Sequence, residues 1–171
     1  MIIKGGKMMK IRKATIEDLD AITEVEAVCF PEAEAASKES FKQRLMTYPN
    51  HFWLLEDDDK LVGFINGMVI NELTISDEMF EDASLHDESG KWQAIFGVNT
   101  IPEYRCRGLA GKVMEQVIED AKKEGRQGCV LTCKDKLLPF YEKFGYVNYG
   151  ISASNHGGAT WYDMRLEFNE E

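Results

Sequence analysis

Several features that mark particular classes of protein are scarce or absent in this 171-residue sequence. It has four cysteines and none of them forms a CxxC pair, so the sequence indicates neither a zinc knuckle nor a thioredoxin-type motif, and we expect no metal site. No apolar stretch is long enough for a signal peptide or a membrane span, which predicts a cytoplasmic protein without membrane contact. The net charge of −10 argues against a nucleic-acid partner.

What is present fits one folded domain. Apolar residues make up 44% and charged residues 29% of the chain, as in ordinary globular proteins, and the length allows a sizeable core. We expect residues 1–7 to be a short leader and residues 8–171 to form a single domain. The four cysteines are interpreted as small buried hydrophobic residues in a reducing compartment.

Hydrophobic periodicity predicts an α+β protein with a central strand–helix–strand unit. A first helix is expected to begin near Thr15 and to end at Pro31, and a second to be capped by Ser37 and to stop before Pro49. Further helices are predicted near 77–80 and at 108–124 and 137–144, and strands at 8–14, 51–56, 61–70, 92–100, 129–133, 146–151 and 160–168.

The segment Arg105-Cys106-Arg107-Gly108-Leu109-Ala110 carries the clearest chemical signal. It follows a predicted strand and opens a helix, where glycine permits close approach and free N–H groups attract an anion. It is neither a Walker A motif nor the GxGxxG fingerprint, and this glycine spacing argues against a dinucleotide-binding Rossmann fold. Taken alone, the hexapeptide equally fits a plain helix N-terminus with solvated arginines.

The charge distribution favours the anion site. Residues 104–136 hold eight Lys or Arg and five Asp or Glu, a net of +3, whereas residues 1–103 carry a net of −10. The acidic remainder fits a cationic co-substrate, or it simply keeps the protein soluble.

Two motifs in register resemble the GNAT superfamily of N-acetyltransferases. RCRGLA matches the R/Q-x-x-G-x-G/A motif of that superfamily, and LPFYEKFGY at 138–146 is similar to its C-terminal motif. The order of predicted elements is also similar over about residues 8–168. The resemblance implies a mixed, mostly antiparallel central sheet that is flanked by helices and splayed between the fourth and fifth strands. Residues 133–135 (CKD) further resemble the arylalkylamine (serotonin) N-acetyltransferase branch, although strand 92–100 lacks that branch's paired histidines.

The resemblance implies acetyl-CoA as the acetyl donor and binding partner. Its pyrophosphate would lie on the N–H groups of residues 107–111, and its pantetheine arm would pair with strand 92–100, where a backbone N–H polarises the thioester. The implied cofactor-binding residues are Val98, Thr100, Arg105, Arg107, Gly108, Leu109, Ala110, Gly111 and Lys112.

By the same resemblance, the acceptor is the primary amine of a small molecule and Tyr141 is the acid that protonates the leaving thiolate. The general base is left open among Glu26, Glu34 and His86. Alternative functions are acetylation of a peptide or protein amine, and a non-catalytic module that binds acyl-CoA. The resemblance is also compatible with a homodimer.

Overall fold

The computed structural model describes residues 2–3 and 9–169. Its helices are α1 (Leu19–Cys29), α2 (Lys38–Thr47), α3 (Asp77–Glu81), α4 (Leu109–Lys123) and α5 (Leu138–Glu142). Its strands are β1 (Ile2–Ile3), β2 (Met9–Lys13), β3 (Phe52–Asp57), β4 (Lys60–Asn66), β5 (Val69–Ile70), β6 (Trp92–Ile95), β7 (Gly97–Thr100), β8 (Gly128–Cys133), β9 (Val147–Ile151) and β10 (Tyr162–Glu167).

The strands form two five-stranded sheets, in the orders β1-β2-β3-β4-β7 and β5-β6-β8-β10-β9. Every pairing is antiparallel except that of β6 with β8, which is parallel. A parallel pair needs a crossover connection, and the segment that contains α4 provides it. The predicted α+β class with a strand–helix–strand unit is therefore confirmed.

Local signals in the sequence account for the helix boundaries. Thr15 and Asp18 form a capping box around a 3-10 turn that leads into α1, and the Ser37 hydroxyl accepts the N–H of Ser40 at the start of α2. Helix α4 buries one stripe against the sheets, made of Leu109, Val113, Met114, Val117 and Ala121.

The structure bears on the expectations for the leader, the cysteines and membrane-spanning segments. Within the predicted leader, Ile2 and Ile3 form β1, while residues 1 and 4–8 lie outside the described part of the chain. Cys129 and Cys133 are buried in β8 and Cys29 is half-buried, but Cys106 is exposed on the loop before α4, contrary to the buried interpretation. No helix in the described ranges has both the length and the apolar character needed to cross a bilayer.

The strands predicted at 61–70 and 92–100 are each broken in two, so the expectation of two continuous strands is wrong. Asn66 pairs with Gly97 and Val69 pairs with Gln93, which leaves one more residue between the partners on the second strand than on the first. This extra residue is a β-bulge, and the N–H of Phe96 bonds the Asn66 carbonyl across it at 2.7 Å. Propensity does not reveal such a bulge, since both halves remain β-forming.

The bulge separates β7 from β8. Strand β6 stays paired with β8 as far as Ile95 and Leu131, whereas β7 pairs with β4 alone. Beyond that point the two strands border a cavity, with Gly97 and Val98 on one side and Cys133 on the other. The splay expected between the fourth and fifth predicted strands is therefore confirmed, and it positions the candidate site.

Candidate functional site

A cavity of about 310 Å³ lies in the gap between β7 and β8. Its walls also include residues of α1, of the loop that follows α1, of α2 and of the loop before β10. Such a volume is at the lower end of the range for small-molecule sites. Its lining includes five ionisable side chains that the following paragraphs describe: Glu26, Glu34, Arg44, Tyr141 and His156.

Tyr141 lies in the cavity wall on α5, where Pro139 occupies the first turn of the helix. Its ring packs edge-to-face against Phe140 and Tyr146 and is only 6% exposed. Burial, with a smaller contribution from nearby Cys133, raises the pKa of the Tyr141 phenol well above its ordinary value of 10. The phenol is therefore protonated at neutral pH and is able to donate a hydrogen bond or a proton.

Glu26 brings a buried carboxyl group to the same cavity. It lies on the face of α1 that also buries Ile22 and Val25, and one of its oxygens accepts the Ala36 N–H at 3.0 Å. Its other oxygen, Oε1, has no hydrogen-bond partner of normal geometry and lies beside Gly97 at the bulge. Burial raises the pKa of Glu26 above its ordinary value, and the Ala36 N–H, the Arg44 charge and the Asn99 side chain oppose this rise.

Glu34 also lines the cavity, but its carboxylate is already engaged. Its Oε2 pairs with the Lys134 ammonium at 2.7 Å, and its backbone carbonyl contacts the His156 ring at 2.9 Å. The carboxylate is thus neutralised by a neighbouring lysine. Glu34 therefore suits a structural role in the cavity wall better than the role of general base.

His86 lies away from the cavity. Its Nδ1 accepts the N–H of Val69 at 2.9 Å, and its Nε2 contacts Glu88 at 2.8 Å. It is not among the residues that line the cavity, and burial lowers the pKa of its imidazole. Of the three base candidates from the sequence, the structure brings Glu26 and Glu34 to the cavity with Tyr141, but not His86.

His51, His86 and Glu88 are close enough together to suggest a metal centre. The hydrogen bonds argue otherwise, because the Val69 N–H occupies the lone pair of His86 Nδ1 and a neutral ring then carries its proton on Nε2. That nitrogen donates to Glu88 and has no lone pair for a metal. The cluster is therefore a hydrogen-bonded network within the fold.

The loop before α4 has the geometry of an anion site. Cys106 and Gly108 both adopt left-handed backbone conformations, with φ of 62° and 74°. Gly108 caps α4, no side chain bonds the first turn, and no acidic residue lies there. The leading N–H groups of this 15-residue helix, from Leu109 to Gly111, therefore face outward with the positive end of the helix dipole.

The basic side chains of this loop are partly held by the backbone. Arg105 Nε donates to the Thr100 carbonyl at 2.8 Å, and Arg107 donates to the Glu103 carbonyl at 2.8 Å. Lys112 lies 4.0 Å from Glu115 on the exposed first turns of α4. These contacts keep positive charge close to the helix N-terminus.

Strand β7 offers a free edge beside the cavity. The Ile101 N–H bonds the Val62 carbonyl, and the pairing alternates from there, so the backbone groups of Val98 and Thr100 point away from β4. They point toward the gap in front of β8. The Thr100 carbonyl is taken by Arg105 and by the Cys29 thiol, which leaves Val98 as the open position.

Arg44 and His156 are cavity residues that the sequence analysis did not single out. For Arg44 a signal existed, because it lies between Phe41, Leu45 and Tyr48 on the apolar face of α2, where a charge is unusual. His156 lies in a glycine-containing turn after β9, and its ring stacks on Phe80. No local pattern connects that turn with the cavity.

Comparisons with known proteins agree with this geometry. The profile of the acetyltransferase (GNAT) family matches residues 19–146, and the chain belongs to that family. Serotonin N-acetyltransferase of Mesocricetus auratus is 24% identical over 110 residues, which are 64% of this chain and 52% of that protein. The match thus spans about half the length of that relative.

Solved structures show the same fold at low sequence identity. The loading GNATL domain of CurA from Lyngbya majuscula superposes with a TM-score of 0.81 at 20% identity, over 93% of this chain and 97% of that one. The GphF GNAT-like decarboxylase in complex with isobutyryl-CoA gives 0.80 at 23% identity, over 92% and 98%. The family match confirms the predicted superfamily, and these structures show the same fold.

Proposed function

We propose that the protein is an N-acetyltransferase that moves the acetyl group of acetyl-CoA to the primary amine of a small molecule. The observation that carries the proposal is the cavity between β7 and β8. It is bordered by a protonated tyrosine, Tyr141, by a buried carboxyl group, Glu26, and by the open strand edge at Val98. Family membership supports acetyl-CoA as the donor.

The donor would bind along β7 and at the start of α4. The outward N–H groups of residues 109–111, with Arg105, Arg107 and Lys112 nearby, suit the pyrophosphate. The free edge of β7 suits an extended pantetheine arm, and the Val98 N–H is the group available to polarise the thioester carbonyl. These two sites are continuous in the chain, since β7 leads directly into the loop.

Proton transfer would be divided between Glu26 and Tyr141. An alkyl amine with a pKa near ~10 is protonated at neutral pH, so a base has to take one proton before nitrogen attacks the carbonyl carbon. Glu26 suits this role because its raised pKa brings it closer to the operating pH. When the C–S bond breaks, the Tyr141 phenol protonates the leaving thiolate, and the second proton lost by the attacking nitrogen restores the phenol.

Steady-state release of CoA with a panel of amines tests the proposal. Turnover with small amines is expected, and Tyr141→Phe should lower kcat by roughly 100-fold or more while the KM for acetyl-CoA changes little. Tyr149→Phe is the matched control, since Tyr149 is exposed on β9 and outside the cavity.

Three results would redirect the assignment. Turnover restricted to peptides would favour a peptide or protein acceptor. Tight CoA binding without any turnover would favour a binding module. Equal kcat for Tyr141→Phe and the native protein would remove Tyr141 from the chemistry.

A further inference from the structure

Arg44 is a buried cation in the wall of the cavity. It is 4% exposed, and among the described residues that line the cavity it is the only arginine or lysine. Its guanidinium lies over the rings of Phe41 and Phe96, 5.1 and 5.0 Å from their centroids. Both aromatic rings therefore pack against the group and help to shield it from water.

Its partners within the protein are all neutral. Nη1 donates to the Asn66 side-chain oxygen at 2.9 Å and Nη2 donates to the Phe80 carbonyl at 2.8 Å. Nε has no partner, and within the described chain no carboxylate forms an ion pair with Arg44. Burial lowers the pKa of Arg44, and the charges of the nearby Tyr48 and Glu26 only partly oppose this effect. A buried charge without a counter-ion is costly, and structural arginines are normally paired.

The groups around Arg44 are themselves cavity residues. Asn66, Phe80 and Phe96 all line the cavity, so the guanidinium is part of its inner wall. Three carboxyl groups line the cavity: Glu81 is exposed, the half-buried Glu34 is neutralised by Lys134, and the buried Glu26 has an oxygen without a hydrogen-bond partner. Arg44 and Glu26 attract each other electrostatically but form no ion pair.

We propose that Arg44 binds a carboxylate of the acceptor, so that the acceptor amines of this enzyme are amino acids or similar amino-carboxylates. The inference rests on the proposed acetyltransferase function and narrows its substrate class. The ammonium end of such a zwitterion meets Glu26, and its carboxylate supplies the direct ion pair that Arg44 lacks within the described chain. A guanidinium offers several parallel N–H donors and suits a carboxylate geometrically.

The test uses acceptor pairs that differ only in the carboxylate, such as phenylalanine with phenethylamine and tryptophan with tryptamine, together with the amino-acid methyl esters. For the native protein, kcat/KM should be at least about tenfold higher for the carboxylate member of the preferred pair. Arg44→Gln should erase this preference, mainly through a rise in the KM of the carboxylate member relative to that of the plain amine. Arg44→Lys keeps the charge but not the planar group, and it should retain part of the preference.

Lys42→Gln is the matched control, because it removes one positive charge from the exposed side of the same helix. If Arg44→Gln fails to fold, the kcat/KM values of the paired acceptors with the native protein still test the inference. Equal or lower kcat/KM for the carboxylate members, or a preference that survives in Arg44→Gln, overturns the inference while leaving the acetyltransferase proposal intact. If neither these pairs nor any amine of the wider panel is acetylated, the proposed function fails. Calorimetric titration of phenylalanine and phenethylamine into the CoA-loaded protein then decides whether Arg44 selects a carboxylate.

Discussion

Replacing Glu26 by glutamine tests the base with little change of shape. Glutamine retains an oxygen that accepts the Ala36 N–H, but it cannot take a proton from the acceptor ammonium. General-base catalysis contributes roughly 10²- to 10⁴-fold, so kcat for Glu26→Gln should fall by at least about 100-fold, or ~2.7 kcal/mol in activation free energy. The KM for acetyl-CoA should change little, because the predicted CoA contacts lie on β7 and α4.

The pH dependence gives a second measurement of the same group. Since burial raises the pKa of Glu26, activity that needs its carboxylate form is lost as the pH falls through that raised value. The acidic limb of the kcat/KM profile should therefore lie above pH 4.5, the ordinary value for glutamate, and it should disappear in Glu26→Gln.

As the pH rises through the raised pKa of Glu26, activity should increase while the stability of the fold decreases. The folded state binds the Glu26 proton more tightly than the unfolded state, so the carboxylate destabilises the fold increasingly as the pH rises from about 4.5 through the raised pKa. Removal of this buried charge should leave the melting temperature at pH 8 equal or higher. A lower melting temperature would contradict this account of burial.

The control is Glu24→Gln, an exposed glutamate on the same helix, which should behave as the native protein does in both assays. The reasoning is refuted if Glu26→Gln keeps kcat within about twofold and retains the acidic limb. A base elsewhere in the cavity would then be required.

Three further predictions concern the fold and the CoA site. Gly108→Ala adds a Cβ that meets no atom within 4 Å but is strained at φ 74°, so unfolding studies should show a loss of about 1–2 kcal/mol, and calorimetry should show weaker CoA binding. Gly67→Ala places a Cβ on the backbone carbonyl of Ala94, and it should lower stability by more than about 3 kcal/mol or prevent folding, as thermal melts would show. CoA affinity should fall as NaCl rises from roughly 0.05 to 0.5 M, because the basic loop is exposed, and a salt-independent Kd would contradict the predicted anion site.

The elements with strong local signals were predictable from the sequence. The capping residues Thr15 and Ser37 mark helix starts that the structure retains, and the stripe from Leu109 to Ala121 predicts α4. The position of the loop at residues 105–108, after a strand and before a helix, was also predictable, because the residues that define it are adjacent in the sequence. In each case the information lies within a few residues of the feature.

The break at Phe96 was not predictable in the same way. Residues 92–100 form a continuous β-like run, and the extra residue becomes visible only against a partner strand distant in sequence. That single bulge determines which strand edge is free and therefore where the cavity opens. The location of the site thus depends on register, a tertiary property that local periodicity does not encode.

The two buried charges, Glu26 and Arg44, are visible in the sequence, but the cavity that they share is visible only in the structure. Glu26 and Arg44 each occupy a position on an apolar helix face, and each lowers the stability of the folded chain by losing hydration. If they served only the fold, a direct ion pair would reduce that cost further than their attraction across the cavity does, yet they form no ion pair and both border the same cavity. An arrangement that keeps opposite charges apart around an open space is stabilised fully only when a ligand with complementary charges occupies it. The interrupted apolar faces of α1 and α2 are therefore better explained by ligand binding than by packing.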